Sequence, residues 1–352
     1  VGKVCGALPA GVIAARFGER RTMLGAAALA AVTMTGCAVS TRLWMLAPAV
    51  FCLGLSEAVF GLARHSYLAT AVPFNFRARA MSLLGGSNRI GLFIGPFAAF
   101  GAMGAGGLSA AYWVHVAAAV ATGATVLAIG ELPGEARESG GRKGGANVAK
   151  EPPVRLGAVL RDNARVLCTL GSAAVLMGAV RAGRQVAVPL WAQHIGLDAQ
   201  DTSLVFGLSG AVEMLLFYPA GKVMDRYGRA WIAIPCLLIL GGMHLLLPLT
   251  ASFGTLLAVS MAMGFGNGIG SGIIMTLGAD VSPEQGRAQF LGAWRLASDV
   301  GTAGGPLLIS ALTTAFTLAV GLGAMGALGF AGAAAMARWI PRYSRRPGDR
   351  VD

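Results

Sequence analysis

Apolar residues run along this chain in long blocks: near 1–15, 22–40, 44–71, 81–103 and 108–130, then 166–193, 203–223, 230–250, 254–279, 288–311 and 314–338. A membrane-crossing helix needs about 20 largely apolar residues. The pattern therefore predicts eleven spanning helices, five before a polar stretch and six after it. That stretch, 131–165, contains GEARESGGRKGGANVAKEPP, which is too polar and Gly-rich to bury anything and reads as a flexible linker. Its end, VRLGAVLRDNAR, fits a short amphipathic helix on the membrane surface. The expected organisation is a bundle over 1–130, the linker over 131–165, a second bundle over 166–338 and a tail over 339–352.

Composition strengthens the membrane reading. Of 352 residues, 55% are hydrophobic and only 12% charged, against about 25% charged in soluble domains. The 52 glycines suit helices that pack closely in lipid. A net charge of +12 (28 − 16) would suggest nucleic acid in a soluble protein. Here its placement matters more, and no nucleic-acid partner is expected. With the linker taken as cytoplasmic, the loops on that side and the tail carry Arg16, Arg20, Arg21, Arg77, Arg79, Arg226, Arg229, Arg287 and Arg338 to Arg350. The opposite loops carry almost nothing basic but Arg42, and HIGLDAQD at 194–201 has two acids and no Lys or Arg. This is a positive-inside pattern. It predicts a multi-pass protein of the cell's inner membrane with linker and C-terminus in the cytoplasm.

Cys5, Cys37, Cys52, Cys168 and Cys236 stand singly, without zinc or redox spacing, and read as packing residues. No metal or cofactor is expected. The chain opens on Val1 inside an apolar segment, with no signal-peptide layout.

The two halves match at one offset. Gly11, Arg16 and Gly18 answer Gly221, Arg226 and Gly228, since 221 − 11 = 210. The same shift takes Gly54 to Gly264, Pro73 to Pro283, Arg77 to Arg287, and Gly91, Gly95 and Pro96 to Gly301, Gly305 and Pro306. An offset held through four helices indicates two copies of one bundle, and a counterpart to the second copy's first helix is expected ahead of residue 1. Parallel repeats of this kind are a transporter pattern, with substrate bound between the halves.

The repeat and its motifs resemble the major facilitator superfamily. GKVMDRYGR at 221–229 is similar to the family's signature between helices 2 and 3, repeated between helices 8 and 9. The resemblance implies that Asp225 caps a helix of the other half, and that Arg226 and Arg229 tie a cytoplasmic gate framed by Gly221 and Gly228. The first copy, GVIAARFGERR at 11–21, supplies Gly11, Arg16, Gly18, Arg20 and Arg21, but Ala15 replaces the Asp and Glu19 stands where the second copy has Arg229. GLFIGP at 91–96 resembles the helix-5 motif of the drug–proton antiporter branch, through Gly91, Gly95 and Pro96. Its recurrence as GTAGGP at 301–306 leaves plain helix packing open as the alternative. GFGNGIGSG at 264–272 lies inside an apolar run, so its glycines at steps of four are expected to make a flat helix face and not a phosphate loop.

Ionisable residues inside spans are costly, about 2.5–3.5 kcal/mol at a helix centre, so they line cavities or pair. Glu57, Glu213 and Asp299 are the proton-coupling candidates, with Lys3, Arg89, Arg181 and Arg295 as intramembrane counter-charges. Arg64 and Arg184 lie nearer span ends and are expected to snorkel. His115 and His244 read as hydrogen-bonded packing residues. Glu57 stands where the family's helix-4 motif has Arg, and a midplane carboxyl suits a bound and released proton equally as it suits a structural bond. Under the shift, Lys3 falls on Glu213 and Arg89 on Asp299, opposite charges at related positions. The family's helix arrangement would then bring Lys3 toward Asp299 and Arg89 toward Glu213.

The expected fold is an all-α membrane protein of two pseudo-symmetric bundles. The expected function is a non-enzymatic, monomeric secondary transporter, moving a small organic compound outward against protons by alternating access. A proton-coupled metabolite importer and a non-transporting receptor or inactive relic are the alternatives.

Overall fold

The computed structural model describes residues 16–40, 43–72, 74–128, 156–283 and 285–343, with Gly2, Gly6 and Ile13 as isolated positions. Over much of 74–89 the backbone alone is described. The expected first span, 1–15, and most of the linker and tail fall outside these residues.

The chain divides into two compact units, Val1–Val148 and Ala149–Asp352. In the first, α1 (Glu19–Val39) packs on α2 (Leu43–Ala71) and on α4 (Leu108–Ala128), and α4 packs on α3 (Phe74–Gly106). The second begins with a short helix, α5 (Leu156–Asp162), then α6 (Ala164–His194), α7 (Ala199–Tyr227) and α8 (Ala230–Leu246), which ends in a 3-10 turn. It continues with α9 (Phe253–Ile269), α10 (Ile273–Asp280), α11 (Arg287–Ala315) and α12 (Leu318–Tyr343). The pairs α1·α2, α1·α4 and α3·α4 recur under the 210 shift as α8·α9, α8·α12 and α11·α12. The repeat legible in sequence is thus a repeat of packing. No strand occurs among the described residues.

Seven candidate spans are long and apolar enough to cross a membrane, and the bent α7 makes an eighth. With 33 and 29 residues, α3 and α11 are long enough too, but α3 carries Arg89, and α11 carries Arg295 and Asp299. The bend in α7, 42° between Leu216 and Tyr218, sits beside Pro219, whose ring cannot donate to the preceding turn.

Local chemistry sets the helix ends. The acidic loop at 194–201 starts α7: Asp198 is its N-cap, accepting the backbone N–H of Asp201 at 2.7 Å. Ser252 and Thr255 form a reciprocal capping box on α9. The turns before α1 and α8 share a backbone conformation that a side chain would strain: Gly18 has φ 80° and ψ 155°, Gly228 φ 97° and ψ 168°. These two glycines answer one another in the repeat. At the basic end of α12, Arg338 and Arg342 lie over Trp339, 5.5 and 5.0 Å from the ring centre, an anchor suited to the bilayer interface.

One expectation is corrected. The run 264–272 is not a single flat helix face, because α9 ends at Ile269 and Gly272 adopts a left-handed φ of 79° before α10. Gly264 and Gly268 do form a face: it lies against α7, where a Cβ on Gly268 would sit 2.9 Å from the Glu213 carbonyl oxygen. A Cβ on Gly264 would strike Ser209.

Candidate functional site

The glycine face of α9 seats α7 closely enough to bury a charge. Glu213, halfway along α7, meets Arg184 of α6: Nη1 donates to Oε2 at 3.1 Å, with the two side chains 7% and 18% exposed. Arg184 Nη2 donates to Ser209 Oγ at 3.0 Å, and Ser209 donates in turn to the Ser260 carbonyl of α9 at 2.6 Å. Three residues earlier on α6, Arg181 Nε donates to Asn267 Oδ1 at 2.6 Å and Nη1 donates to the Gly270 carbonyl at 3.3 Å. That carbonyl lies where α9 breaks, and it accepts from Arg181 beside a long backbone bond from Ile273 N–H at 3.5 Å.

This cluster overturns one expectation: Arg184 does not snorkel. It is 6% exposed, and a residue 10 positions from the end of its helix reaches the bundle interior because of the face it occupies, not its depth. Two arginines against one carboxylate leave a positive excess inside the span. Among the described residues, Arg184 Nε, His244 Nε2 and Ser260 Oγ are buried without a hydrogen-bond partner. His244 sits on α8, fully buried, with Nδ1 2.7 Å from the Leu240 carbonyl.

Two further acids lie within spanning helices. Glu57 lies at the centre of α2 and is exposed. Asp299 pairs within its own helix with Arg295, Nε to Oδ2 3.9 Å, and the two are 57% and 65% exposed. Exposed charges on a spanning helix belong on a face turned away from lipid. Arg64 lies over the Phe60 ring at 5.8 Å. Of the supposed pairings Lys3–Asp299 and Arg89–Glu213, Lys3 is outside the described residues, and the Arg89 side chain is not described.

At the turn between α7 and α8, Arg229 makes the strongest contacts. Its Nε donates to Asp280 Oδ2 at 2.8 Å and its Nη2 to Oδ1 at 3.4 Å, joining the turn to the end of α10. Nη1 reaches Asp225 at 3.4 Å and the Met224 carbonyl at 3.1 Å. Hydrogen bonding to Asp280 raises the Arg229 pKa above its ordinary value, against partial burial, so the guanidinium stays charged. Asp225 itself is 77% exposed, and Arg226 stacks over Tyr227 at 5.4 Å. Gly221 has open space where a Cβ would point. Sequence reasoning missed Asp280, because the shift carries it to Thr70 and no motif marks it.

The first copy of this turn is wired differently. Gly11 and Ala15 are outside the described residues. Arg20 donates to the carbonyls of Val126 and Leu127 at 3.3 and 2.9 Å, placing a cation on the last turn of α4. Glu19 accepts from Ser66 Oγ at 2.8 Å. Arg16 lies over Phe17 at 5.7 Å and Arg21 is exposed. Asp280→Asn is expected to cut transport, Arg229→Gln at least as much because it also gives up Asp225 and the Met224 carbonyl, and the double variant no more than Arg229→Gln, because the shared link is already gone. Additive losses at equal membrane expression would separate the two residues.

The second copy of the Gly-x-x-x-Gly-Pro motif is a packing contact. Gly301 and Gly305 of α11 lie on α6, where a Cβ would strike the carbonyls of Val175 and Ala179. Gly91 and Gly95 of α3, which precede Pro96, meet nothing within 4 Å among the described residues.

The family question is decided by comparison. The model of the Major Facilitator Superfamily matches twice, over residues 1–183 and 170–351. The chain belongs to the Major Facilitator Superfamily. It is therefore a transporter and a multi-pass membrane protein. Among solved structures it is similar to a D-xylose–proton symporter, with 15% identity, TM-score 0.66 and coverage of 100% of this chain and 87% of that one. It is also similar to a POT family transporter in complex with a thioalcohol-conjugated peptide, with 11% identity, TM-score 0.76 and coverage of 98% and 86%. A POT family transporter in complex with 5-aminolevulinic acid aligns at 12% identity and TM-score 0.67, over 98% and 86% of the two chains. At such identities these likenesses speak for the superfamily fold alone. No curated protein sequence matches the chain.

Proposed function

We propose that this superfamily member is a proton-coupled secondary transporter of a small organic compound, working by alternating access as an exporter. The observation that carries the reading is the Glu213–Arg184 pair, a carboxylate and a guanidinium in contact deep inside a spanning bundle. A proton on Glu213 cancels the attraction and frees Arg184, so protonation is tied to a rearrangement of α6 against α7. Proton and substrate then claim this cluster in turn, as exchange requires. Glu57, exposed at mid-span in the first unit, is the second candidate for the proton. The Arg229–Asp280 link, with Asp225 and Arg226, is the gate on the basic side, which the positive-inside pattern assigns to the cytoplasm of the inner membrane.

Export rests on the resemblance of Gly91, Gly95 and Pro96 to the drug–proton antiporter motif. The second reading is import with the proton. It is favoured by Gly301 and Gly305, whose close contact with α6 gives the same motif a packing role.

The test is a pH gradient imposed on proteoliposomes that hold a pH dye, challenged with a panel of organic cations, organic acids and sugars. An antiporter releases protons from the acidic lumen when its compound is added outside, and a symporter carries them inward with it. No compound moving any proton would favour a non-transporting protein and sink the proposal.

A further inference from the structure

The first unit holds a cavity of about 320 Å³ between α1, α2 and the residues just before α1. Ile13, Phe17, Gly25, Leu29 and Leu55 supply apolar walls, and Arg21 stands at the mouth. The hydroxyls on its wall are already committed: Thr22 donates to the Gly18 carbonyl at 2.7 Å and Ser56 to the Ala26 carbonyl at 2.6 Å. Among the described lining residues a guest's acceptors would find no free hydroxyl donor inside, whereas a hydrocarbon chain would lose nothing by entering. Arg21 is the one charged side chain among the described lining residues, and it is exposed at the basic end of the helix. Of its neighbours, Arg20 is engaged with the end of α4 and Arg16 with the ring of Phe17.

The 210 shift turns Arg21 into Trp231 and Leu55 into Phe265, so the arginine at the mouth belongs to the first copy alone.

We propose that the first unit binds one anionic phospholipid, with an acyl chain in this groove and the phosphate on Arg21. Basic residues at the membrane surface attract anionic lipid headgroups, and a groove open within a bilayer is filled from the lipid.

Native mass spectrometry of the full-length chain tests this, with palmitoyl-oleoyl phosphatidylglycerol offered against phosphatidylcholine of the same chains. The expected result is one retained lipid, with phosphatidylglycerol preferred at least tenfold. Arg21→Gln should abolish the preference while either lipid still binds weakly. Gly25→Leu should abolish retention of both, because its Cβ direction meets nothing within 4 Å and the new side chain fills the groove without a clash. Equal melting temperatures would show that both variants fold; Arg21 is exposed, so its replacement keeps the test decisive by itself. Unchanged preference in Arg21→Gln would overturn the proposal, as would unchanged retention in a folded Gly25→Leu. Displacement of the bound lipid by soluble glycerol phosphate alone would also overturn it, by showing a phosphate site that makes no use of the groove.

Discussion

Arg184→Ala is expected to abolish uphill transport and to destabilise the second unit by about 3–5 kcal/mol, the usual cost of removing one partner of a buried ion pair. The loss has two parts. Glu213 keeps a carboxylate at mid-span without the guanidinium 3.1 Å away, and Ser209 loses the donor at 3.0 Å. Replacing both charges by apolar groups of similar size, Arg184→Met with Glu213→Leu, should restore much of the stability and none of the coupling. That contrast separates folding from function. Thermal unfolding in detergent, read beside proton-driven accumulation in vesicles, checks it. A single variant as stable as the parent would mean that Glu213 finds other compensation, and the pair would lose its central place.

The second large effect is expected at α11. Gly305→Leu should destabilise the second unit by about 3 kcal/mol and reduce the folded yield, because its Cβ would strike the Ala179 carbonyl and force α6 and α11 apart. Gly304→Leu, one position away on the same helix, where a Cβ meets nothing within 4 Å, should change stability by less than about 0.5 kcal/mol. The comparison places one substitution on two neighbouring glycines of one helix, so composition and membrane insertion are held constant. Equal tolerance at both positions would show that α6 does not depend on that close approach. Equal damage at both would show that Gly304 is packed as tightly as Gly305.

Span lengths, the repeat and the class of protein were legible because each depends on properties local in sequence. An apolar block of about 20 residues spans whatever its neighbours are, and Gly18 and Gly228 reappear at one offset because both turns need the same unusual backbone. What could not be read was which face of a helix a charge occupies. Arg184 looked like a residue near the end of a span, yet it points into the bundle because Gly264 and Gly268 draw α9 onto α7 beside it. Asp280 escaped notice for a related reason: its partner Arg229 is 51 residues away and the first copy has Thr70 in its place. The break after Ile269 was hidden by glycines that continue on both sides of it. Only the carbonyl of Gly270 on Arg181 shows that the interruption has a partner.

Glu213→Gln in proteoliposomes tests the central claim most directly, because it removes the carboxylate and keeps the shape. With a transported compound on both sides and no gradient, the variant should exchange it at close to the parent's rate. With a pH gradient imposed, it should fail to concentrate the compound at all. Retained uphill movement in the Gln variant would contradict the account and pass the coupling role to Glu57 or Asp299.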